Sequence, residues 1–149
     1  MSKQTAIRAA IITILNSVNS GEFYPKERYS KSQRDMAKLY GEQVNGGFIR
    51  LVSRKRERLY QGRDKITLRY QVTYLHFFSD VDNSQITFED NLEVFDDAFI
   101  ATDIIEPLTQ ATHPEDGDAG LSVDDAQPVT FAGVLCHRAL MTITLEYFE

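Results

Sequence analysis

"KITLRYQVTYLHFF", residues 65–78, contains the strongest strand pattern in this chain of 149 residues. Apolar and polar side chains alternate along it with a period of two, which is the period of a β-strand with one buried face. The apolar face carries Ile66, Leu68, Tyr70, Val72 and Tyr74, and the polar face carries Thr67, Arg69, Gln71 and Thr73. We therefore expect this segment to place one face on the core of the protein.

The segment just before it, residues 48–59, also has strand character. The link between the two is "YQGR", residues 60–63, which is short and contains a glycine. Short links with glycine are typical of β-hairpins. The two segments are therefore predicted to pair as an antiparallel hairpin, whose arginine-bearing side faces solvent or a partner.

Two amphipathic helices are predicted on either side of this hairpin. The first has Ser2 as its N-cap and ends at "NSG", residues 19–21, with an apolar stripe at helical spacing. The second runs from Thr87 to about Ile105 and carries a strongly acidic outer face. The stripe of the first helix is Ile7, Ala10, Ile11, Ile14 and Val18, and that of the second is Phe88, Leu92, Phe95, Phe99 and Thr102. A short helix is expected over residues 32–40.

The last part of the chain combines an irregular segment with a strand. Residues 110–129 are rich in Asp, Gly and Pro and show neither helical nor strand periodicity, which predicts a flexible, exposed acidic loop. The closing segment 131–149 alternates again and is apolar enough to lie inside a sheet. The element order predicts an α+β fold, with a small, mostly antiparallel sheet of three to four strands and helices packed on one face.

Composition is typical of one soluble, globular domain spanning residues 1–149. Hydrophobic residues make up 42% and charged residues 26% of the chain, and a domain of this size buries roughly 70% of its unfolded surface. The longest apolar run near the N-terminus is too short to span a bilayer and lacks a cleavage site, so no membrane association is expected. The single cysteine, Cys136, is expected to be a buried, inert thiol in a reducing cytoplasm.

Catalytic and metal-binding signatures are missing from the sequence. The histidines His76, His113 and His137 are too scattered for a local metal motif. Residues 80–91 begin like a calcium-binding loop but lack its glycine and its final glutamate. We therefore expect no catalytic residue, no cofactor-binding residue and no metal site, and a protein that is not an enzyme.

The charges are separated along the chain. Half of the 16 Lys and Arg residues lie within residues 50–70, and none lies from 70 to 137, while 14 of the 22 acidic residues lie within 80–125. Arg50, Arg54, Arg56 and Arg58 share strand parity and could follow the phosphates of a nucleic acid. The net charge of −6 argues against nucleic acid. A charged hairpin that is merely solvated remains the simplest alternative.

A third interpretation accounts for both halves of the charge distribution. A basic hairpin on one protomer can meet the acidic helix or loop of the next, which gives a head-to-tail contact and, where the rotation closes, a ring. On this hypothesis the predicted contact residues are Arg54, Arg56, Arg58 and Arg63 on the basic side and Asp96, Asp97 and Asp103 on the acidic side. High salt is then expected to weaken the ring.

The chain resembles the tail-terminator proteins of long-tailed bacteriophages and prophages, including the small proteins encoded among Mu-like tail genes. The segments that carry the resemblance are "TAIRAAIITILNSV", "FIRLVSRKRERL", "KITLRYQVTYLHFF", "FEDNLEVFDDAFIATDIIEPL" and "ALMTITLEYFE". Together they span nearly the whole chain, and they agree in length, element order and charge distribution.

This resemblance implies a structural virion protein and no cofactor. Such a protein forms a homo-oligomer, expected to be a hexameric ring, that stops elongation of the tail tube and provides the surface for head joining. Its partners would be itself, the tail tube protein and a head–neck protein, in the bacterial cytoplasm during assembly and then in the virion tail. The alternatives are another neck or baseplate adaptor, and a nucleic-acid-binding accessory protein that uses the basic hairpin 50–69.

Overall fold

The computed structural model describes residues 2–18, 22–26, 45–79, 83–101, 104–105, 111–114, 119–131 and 134–149. Within these ranges the chain is an α+β protein with two helices and one mixed sheet. The helices are α1 (Lys3–Ser17) and α2 (Ser84–Ala101). The strands are β1 (Glu22–Tyr24), β2 (Asn45–Tyr60), β3 (Arg63–Phe77), β4 (Ile104–Ile105), β5 (Ala111–Thr112), β6 (Leu121–Phe131) and β7 (Val134–Phe148).

β3 lies at the centre of the sheet, as its alternating sequence predicts. It pairs with β2 on one side and with β7 on the other, both antiparallel. Its five predicted core residues are all fully buried, and they join β7 residues such as Met141 and Ile143 in the hydrophobic core. β7 pairs on its far side with β6 along its first half and with β5 near its end. The prediction of an interior terminal strand is therefore confirmed.

The hairpin between β2 and β3 is also confirmed. Its turn is Gln61-Gly62, and Gly62 has a φ of 79°, a left-handed conformation that glycine adopts without the clash of a Cβ. At the other end of β2, Gly47 allows close contact with β3, because a Cβ at this position would overlap the carbonyl oxygen of Thr73. The hairpin is thus fixed at both ends by glycines.

The first helix follows the prediction closely. Ser2 is its N-cap and accepts a hydrogen bond from the backbone N–H of Thr5 at 3.1 Å. The fully buried residues of α1 are Ile7, Ile11 and Leu15. The hydroxyl of Tyr70 on β3 donates to the carbonyl oxygen of Gln4 at 3.2 Å, so α1 lies against the tyrosine-bearing face of β3.

The second helix contacts the same strand through aromatic rings. Tyr74 of β3 stacks on Phe88 and meets Phe95 edge to face, with ring centroids 5.6 and 5.0 Å apart. The predicted bounds of this helix are corrected at both ends. α2 begins at Ser84 because Asn83, with a φ of 52°, turns the chain and its carbonyl accepts the first helical hydrogen bonds. At the other end Ile104–Ile105 forms β4, a strand and not helix.

The expected sheet of three to four strands is wrong for the described part of the chain. That part contains seven strands, five of them at least three residues long. The sheet is mixed because β1 pairs with β2 in parallel. The sequence did not reveal β1, since three residues are too few to show a period.

The predicted loop at 110–129 is wrong at Ala111–Thr112, which forms β5, and for its second half. Leu121–Phe131 is β6, an edge strand that pairs with β7. A register shift between Val123 and Asp125 breaks the alternation, and Pro128 is compatible only with an edge strand, so the segment did not resemble a strand in sequence. The predicted helix at 32–40, the inner-stripe residue Thr102 and the contact residue Asp103 lie outside the described residues.

Candidate subunit interface

The outer half of β2 is the most exposed strand segment of the described chain. Every side chain from residue 52 to residue 60 is exposed. Among the described residues the only strand on this side of β2 is β1, and its pairing ends at Phe48. We call residues 52–60 the basic edge, because they include Arg54, Lys55, Arg56 and Arg58.

Two of these arginines already have a partner within the protomer. Asp64, at the start of β3, is nearly buried and forms ion pairs with Arg56, at 2.7 Å, and with Arg58. Arg56 also reaches the carboxylate of Glu149 at 3.0 Å. The backbones of Asp64 and Glu149 exchange two hydrogen bonds of 2.8 and 2.9 Å, which hold the two carboxylates beside each other.

This cluster changes the protonation chemistry of its members. The side-chain hydrogen bond from Arg56 is the main reason that the pKa of Asp64 is lowered, with Arg58 acting in the same direction against the effect of burial. The same bond raises the pKa of Arg56. A lowered carboxyl pKa means that ionised Asp64 stabilises the fold at pH values above the carboxyl pKa of the unfolded chain. This stabilisation is lost as the pH falls. Asp64 is therefore a structural residue, and sequence reasoning missed it.

A bulge divides the arginines of β2 between two faces of the sheet. Leu51 lies opposite Tyr70 and Ser53 opposite Arg69, so Val52 is the extra residue. Beyond the bulge Arg54 lies opposite Leu68, on the sheet face that carries the tyrosines of β3. Arg50 lies opposite Gln71, on the other face. The prediction that Arg50 shares a face with Arg54, Arg56 and Arg58 is therefore wrong.

Arg63, the fourth predicted basic contact residue, lies at the turn. Its guanidinium is 4.7 Å from the centroid of the Phe148 ring. Near the same end of the sheet, Leu59, Tyr60 and Phe148 are exposed to 44%, 63% and 41%. A cation with exposed aromatic and aliphatic side chains is typical of the centre of an interface.

The acidic face of α2 agrees with its sequence prediction. Glu89, Asp90, Glu93 and Asp97 are all exposed, and Ile86, Val94 and Ile100 are exposed beside them. Asp96 is half-buried, and its Oδ1 accepts a hydrogen bond of 2.8 Å from the backbone N–H of Leu121. Asp96 thus connects α2 to the start of β6, while Asp97 is available to a partner.

β6 provides a second acidic surface, which the sequence had placed in a loop. Its side chains are exposed at residues 122–124, 126–128 and 130. Asp125 forms an ion pair with Arg138 at 3.3 Å, and Asp124 accepts a hydrogen bond from the hydroxyl of Thr142. β6 contains two acidic residues and no basic residue. We call this strand the acidic edge.

A buried polar network lies where β2, β3 and α2 meet. The hydroxyl of Tyr74 donates to Oδ1 of Asn45 at 2.7 Å and accepts from Nδ2 of Asn91 at 2.8 Å. His76 joins the same Asn45 oxygen at 3.1 Å through Nδ1. Burial raises the pKa of Tyr74 and lowers that of His76, so both groups stay neutral. A network of this kind holds β2, β3 and α2 in position relative to one another.

Clefts of about 280 to 340 Å³ open on the described surface. One of about 340 Å³ lies between α2 and β6 and is lined by Phe78, Phe88, Pro128 and His137, with Glu89 at its rim. Ser84 is buried; its Oγ is hydrogen-bonded to Nε2 of His137 at 3.0 Å and accepts a hydrogen bond of 2.8 Å from the backbone N–H of Ser79. In the described ranges, no group of three or more His, Cys, Asp or Glu side chains is arranged to hold a metal ion.

Neither described helix is both long enough and apolar enough to cross a membrane. Cys136 is buried as predicted, and burial raises the pKa of its thiol to about 11. The features that remain for interaction are the basic edge, the acidic face of α2 and the acidic edge. The sequence matches no protein-family model and no curated protein.

Proposed function

We propose that this protein is a structural component of a bacteriophage or prophage virion, a tail terminator that assembles into a ring. The ring, expected to be a hexamer, sits on the end of the tail tube, stops its elongation and presents the surface to which the head is joined. The partners are further copies of the chain, the tail tube protein and a head–neck protein. Assembly takes place in the host cytoplasm, and the protein then remains in the virion tail.

One observation carries the ring. The basic edge and the acidic edge lie on opposite margins of the described sheet, and Asp96 connects the acidic helix α2 to the start of the acidic edge, so a protomer presents a basic side and an acidic side. Different, complementary surfaces give a head-to-tail contact, which closes into a ring when the rotation between copies allows it. The protomer in this proposal has its helices on one face of the sheet, which leaves both strand edges to its neighbours.

The predicted contact residues fall into two groups: those already bonded within the protomer and those that are not. Arg54 and Asp97 are exposed and have no ion-pair partner within the described chain. Arg56, Arg58 and Asp96 are each bonded within the protomer. We therefore propose Arg54 and Asp97 as the primary pair across the ring contact, with Arg63 and Asp103 as further members.

The alternative functions have weaker support. Ion pairing with Asp64 reduces the positive charge that Arg56 and Arg58 offer to phosphates, which disfavours nucleic-acid binding by the hairpin. A neck or baseplate adaptor would use the same head-to-tail contact and would differ in its place in the virion. The stage at which assembly fails without the protein distinguishes the two.

The test is electron microscopy of lysates from the encoding phage or prophage with this gene deleted. Tails of irregular or excessive length, separate from full heads, are expected. Complementation with the wild-type gene should restore normal tails. Arg54→Glu should restore them poorly, while Arg69→Glu, which makes the same change in charge on the inner strand β3, should restore them fully. Normal infectious particles from the deletion would refute the proposal.

A further inference from the structure

The two exposed edges of the sheet suggest how neighbouring copies make contact. The outer side of β2 beyond Phe48 and the outer side of β6 both lie at the margin of the described sheet. Strand edges offer backbone N–H and C=O groups that can pair with another strand. We propose that β2 of one copy and β6 of the next pair through their backbones, so that the sheet continues from protomer to protomer. This inference rests on the proposed ring and specifies its contact.

The charge of the two edges determines which pairing is allowed. On the basic edge Arg54 and Lys55 have no ion-pair partner within the described chain, while Arg56 and Arg58 are paired with Asp64. β6 carries Asp124 and Asp125 and no cation of its own, and Asp125 is paired with Arg138 of β7. Like charges on opposed strands destabilise their pairing, and opposite charges stabilise it. Pairing of β2 with β2, or of β6 with β6, is thereby opposed, and pairing of β2 with β6 is favoured. Charge repulsion thus disfavours pairing between two identical edges, and charge attraction favours the head-to-tail pairing of β2 with β6.

The topology also fixes the direction of the contact. β2 is antiparallel to β3, β3 to β7 and β7 to β6, so β6 runs opposite to β2. A rotation that continues the sheet from one copy to the next preserves strand directions, so β6 of the neighbour meets β2 in the antiparallel sense. Pro128 has no amide hydrogen, and we therefore expect the pairing to use residues 121–127 of β6.

The side chains on both faces agree with this arrangement. Lys55 lies opposite Thr67, and Asp125 lies opposite Leu140, both on the sheet face away from the tyrosines of β3. Continuing the sheet with a stagger of six residues between copies would bring Lys55 and Asp125 together on that face. On the other face Arg54 would lie beside the neighbour's α2, which is connected to β6 through Asp96. The same contact thus accounts for the proposed pairing of Arg54 with the acidic helix.

Within one protomer Lys55 and Asp125 are too far apart to react with each other. Three strand spacings separate them across the sheet, about 14 Å. Lys55 is level with Glu146 of β7 and Asp125 with Leu140, an offset of six residues, or about 20 Å along the strands. A zero-length cross-link between the two residues therefore has to join different copies.

Carbodiimide cross-linking of the purified full chain tests the pairing. The expected product is an amide between Lys55 and Asp124 or Asp125, identified by mass spectrometry after digestion with two proteases. Mixing ¹⁴N- and ¹⁵N-labelled protein shows whether the link joins two copies. Lys65 and Glu57, with Nζ and Oε2 3.5 Å apart in one protomer, provide an internal positive control. Lys55→Arg keeps the charge and removes the reactive amine, so it should abolish the cross-link without dissociating the oligomer.

The outcomes separate the edge pairing from the ring itself. An oligomer that gives the Lys65–Glu57 product but no Lys55 link overturns the edge pairing and leaves the ring intact. A chain that stays monomeric at all concentrations overturns the pairing of β2 with β6 in the purified protein. The proposed function is then tested separately, by the tail phenotype of the deletion. As a second variant, Lys55→Glu should weaken association at least 10-fold, and Asp124→Lys in the same chain, which leaves the ion pair of Asp125 with Arg138 intact, should restore most of it.

Discussion

His76 and His137 lie directly opposite each other on β3 and β7, and both imidazoles are buried. Burial is the main reason that the pKa of each is lowered, and the charge of the second histidine lowers that of His76 further. The charge of Glu89 acts in the opposite direction and offsets part of the lowering at His137. The hydrogen-bond partners are neutral: Asn45 for His76 and Ser84 for His137. The two imidazoles are therefore neutral in the folded protein.

The histidine pair predicts a loss of stability in mild acid. The unfolded chain binds protons near pH 6.5 and the folded chain only at lower pH, so below about pH 6.5 stability falls as the pH falls. Each histidine contributes at most about 1.4 kcal/mol per pH unit to this slope. Thermal unfolding between pH 7.5 and 5 measures it. His137→Gln should roughly halve the slope, and an unchanged slope in the variant would contradict the assignment.

Removing the Tyr74 hydroxyl should destabilise the protein without emptying its core. Tyr74→Phe keeps the ring against Phe88 and Phe95 and leaves the Asn91 side-chain amide without this acceptor, while Asn45 keeps His76 as a partner. An unsatisfied buried polar group costs about 1–3 kcal/mol, and we expect a loss in this range by urea unfolding. Tyr70→Phe is the matched control, because the hydroxyl of Tyr70 bonds to the Gln4 carbonyl and interacts with Arg8 outside this network. It should cost less, and equal losses would argue against the network.

Gly47→Ala should be among the most damaging small substitutions. The added methyl group overlaps the Thr73 carbonyl, and neither backbone can move without breaking the pairing of β2 with β3. We expect a loss of about 1–3 kcal/mol in the free energy of unfolding. The control is Gly62→Asn at the exposed turn, where a Cβ meets nothing within 4 Å. Asparagine tolerates a positive φ, so this variant should stay close to wild type.

Substitution by glutamate should have different effects at Arg54 and Arg56. Arg56→Glu breaks the cluster with Asp64 and Glu149, so it is expected to lower the Tm. Arg54→Glu breaks no contact described within the protomer, so the Tm should change little while self-association weakens and becomes less sensitive to salt. Differential scanning calorimetry and sedimentation velocity measure the two effects. A fall in Tm for Arg54→Glu alone would assign it a structural role.

The Cys136 thiol should be nearly unreactive in the folded protein. With a pKa of about 11 it is almost wholly protonated at pH 8, and its thiolate fraction is roughly 200-fold below that of an ordinary cysteine. A chromogenic disulfide reagent should therefore label it slowly in buffer and rapidly in urea. Equal rates in the two solvents would mean that β7 opens readily around this residue.

The core of the fold is predictable from sequence because its elements have long periodic patterns. β3, β7 and α1 each bury one face, and their alternating or helical spacing follows directly from that burial. β6 is different. Its outer edge and most of its side chains face solvent, so burial imposes no pattern on Asp124, Asp125 or Gln127. The short strand β1 is fixed by pairing with Gly46–Phe48, a tertiary contact that no local pattern records.

The candidate interface was predictable in charge and not in geometry. The sequence shows which residues are basic, but the Val52 bulge that separates Arg50 from Arg54 has no signature in the sequence. The contact of Asp64 with Arg56 could have been expected, since opposite charges on paired strands of a short hairpin lie close together. The role of Glu149 could not, because it depends on a backbone pairing with Asp64 across most of the chain.

The pairing of β3 with β7 has a consequence for synthesis on the ribosome. Partners in this ladder are 59 residues apart at Phe77 and Cys136 and 83 apart at Lys65 and Phe148. At about 5–20 residues per second, β3 waits roughly 3–17 s for β7. During that interval the side of β3 that later becomes the middle of the sheet is a free, apolar edge. The nascent chain is therefore most open to mispairing or chaperone capture between the synthesis of the hairpin and that of its last strand.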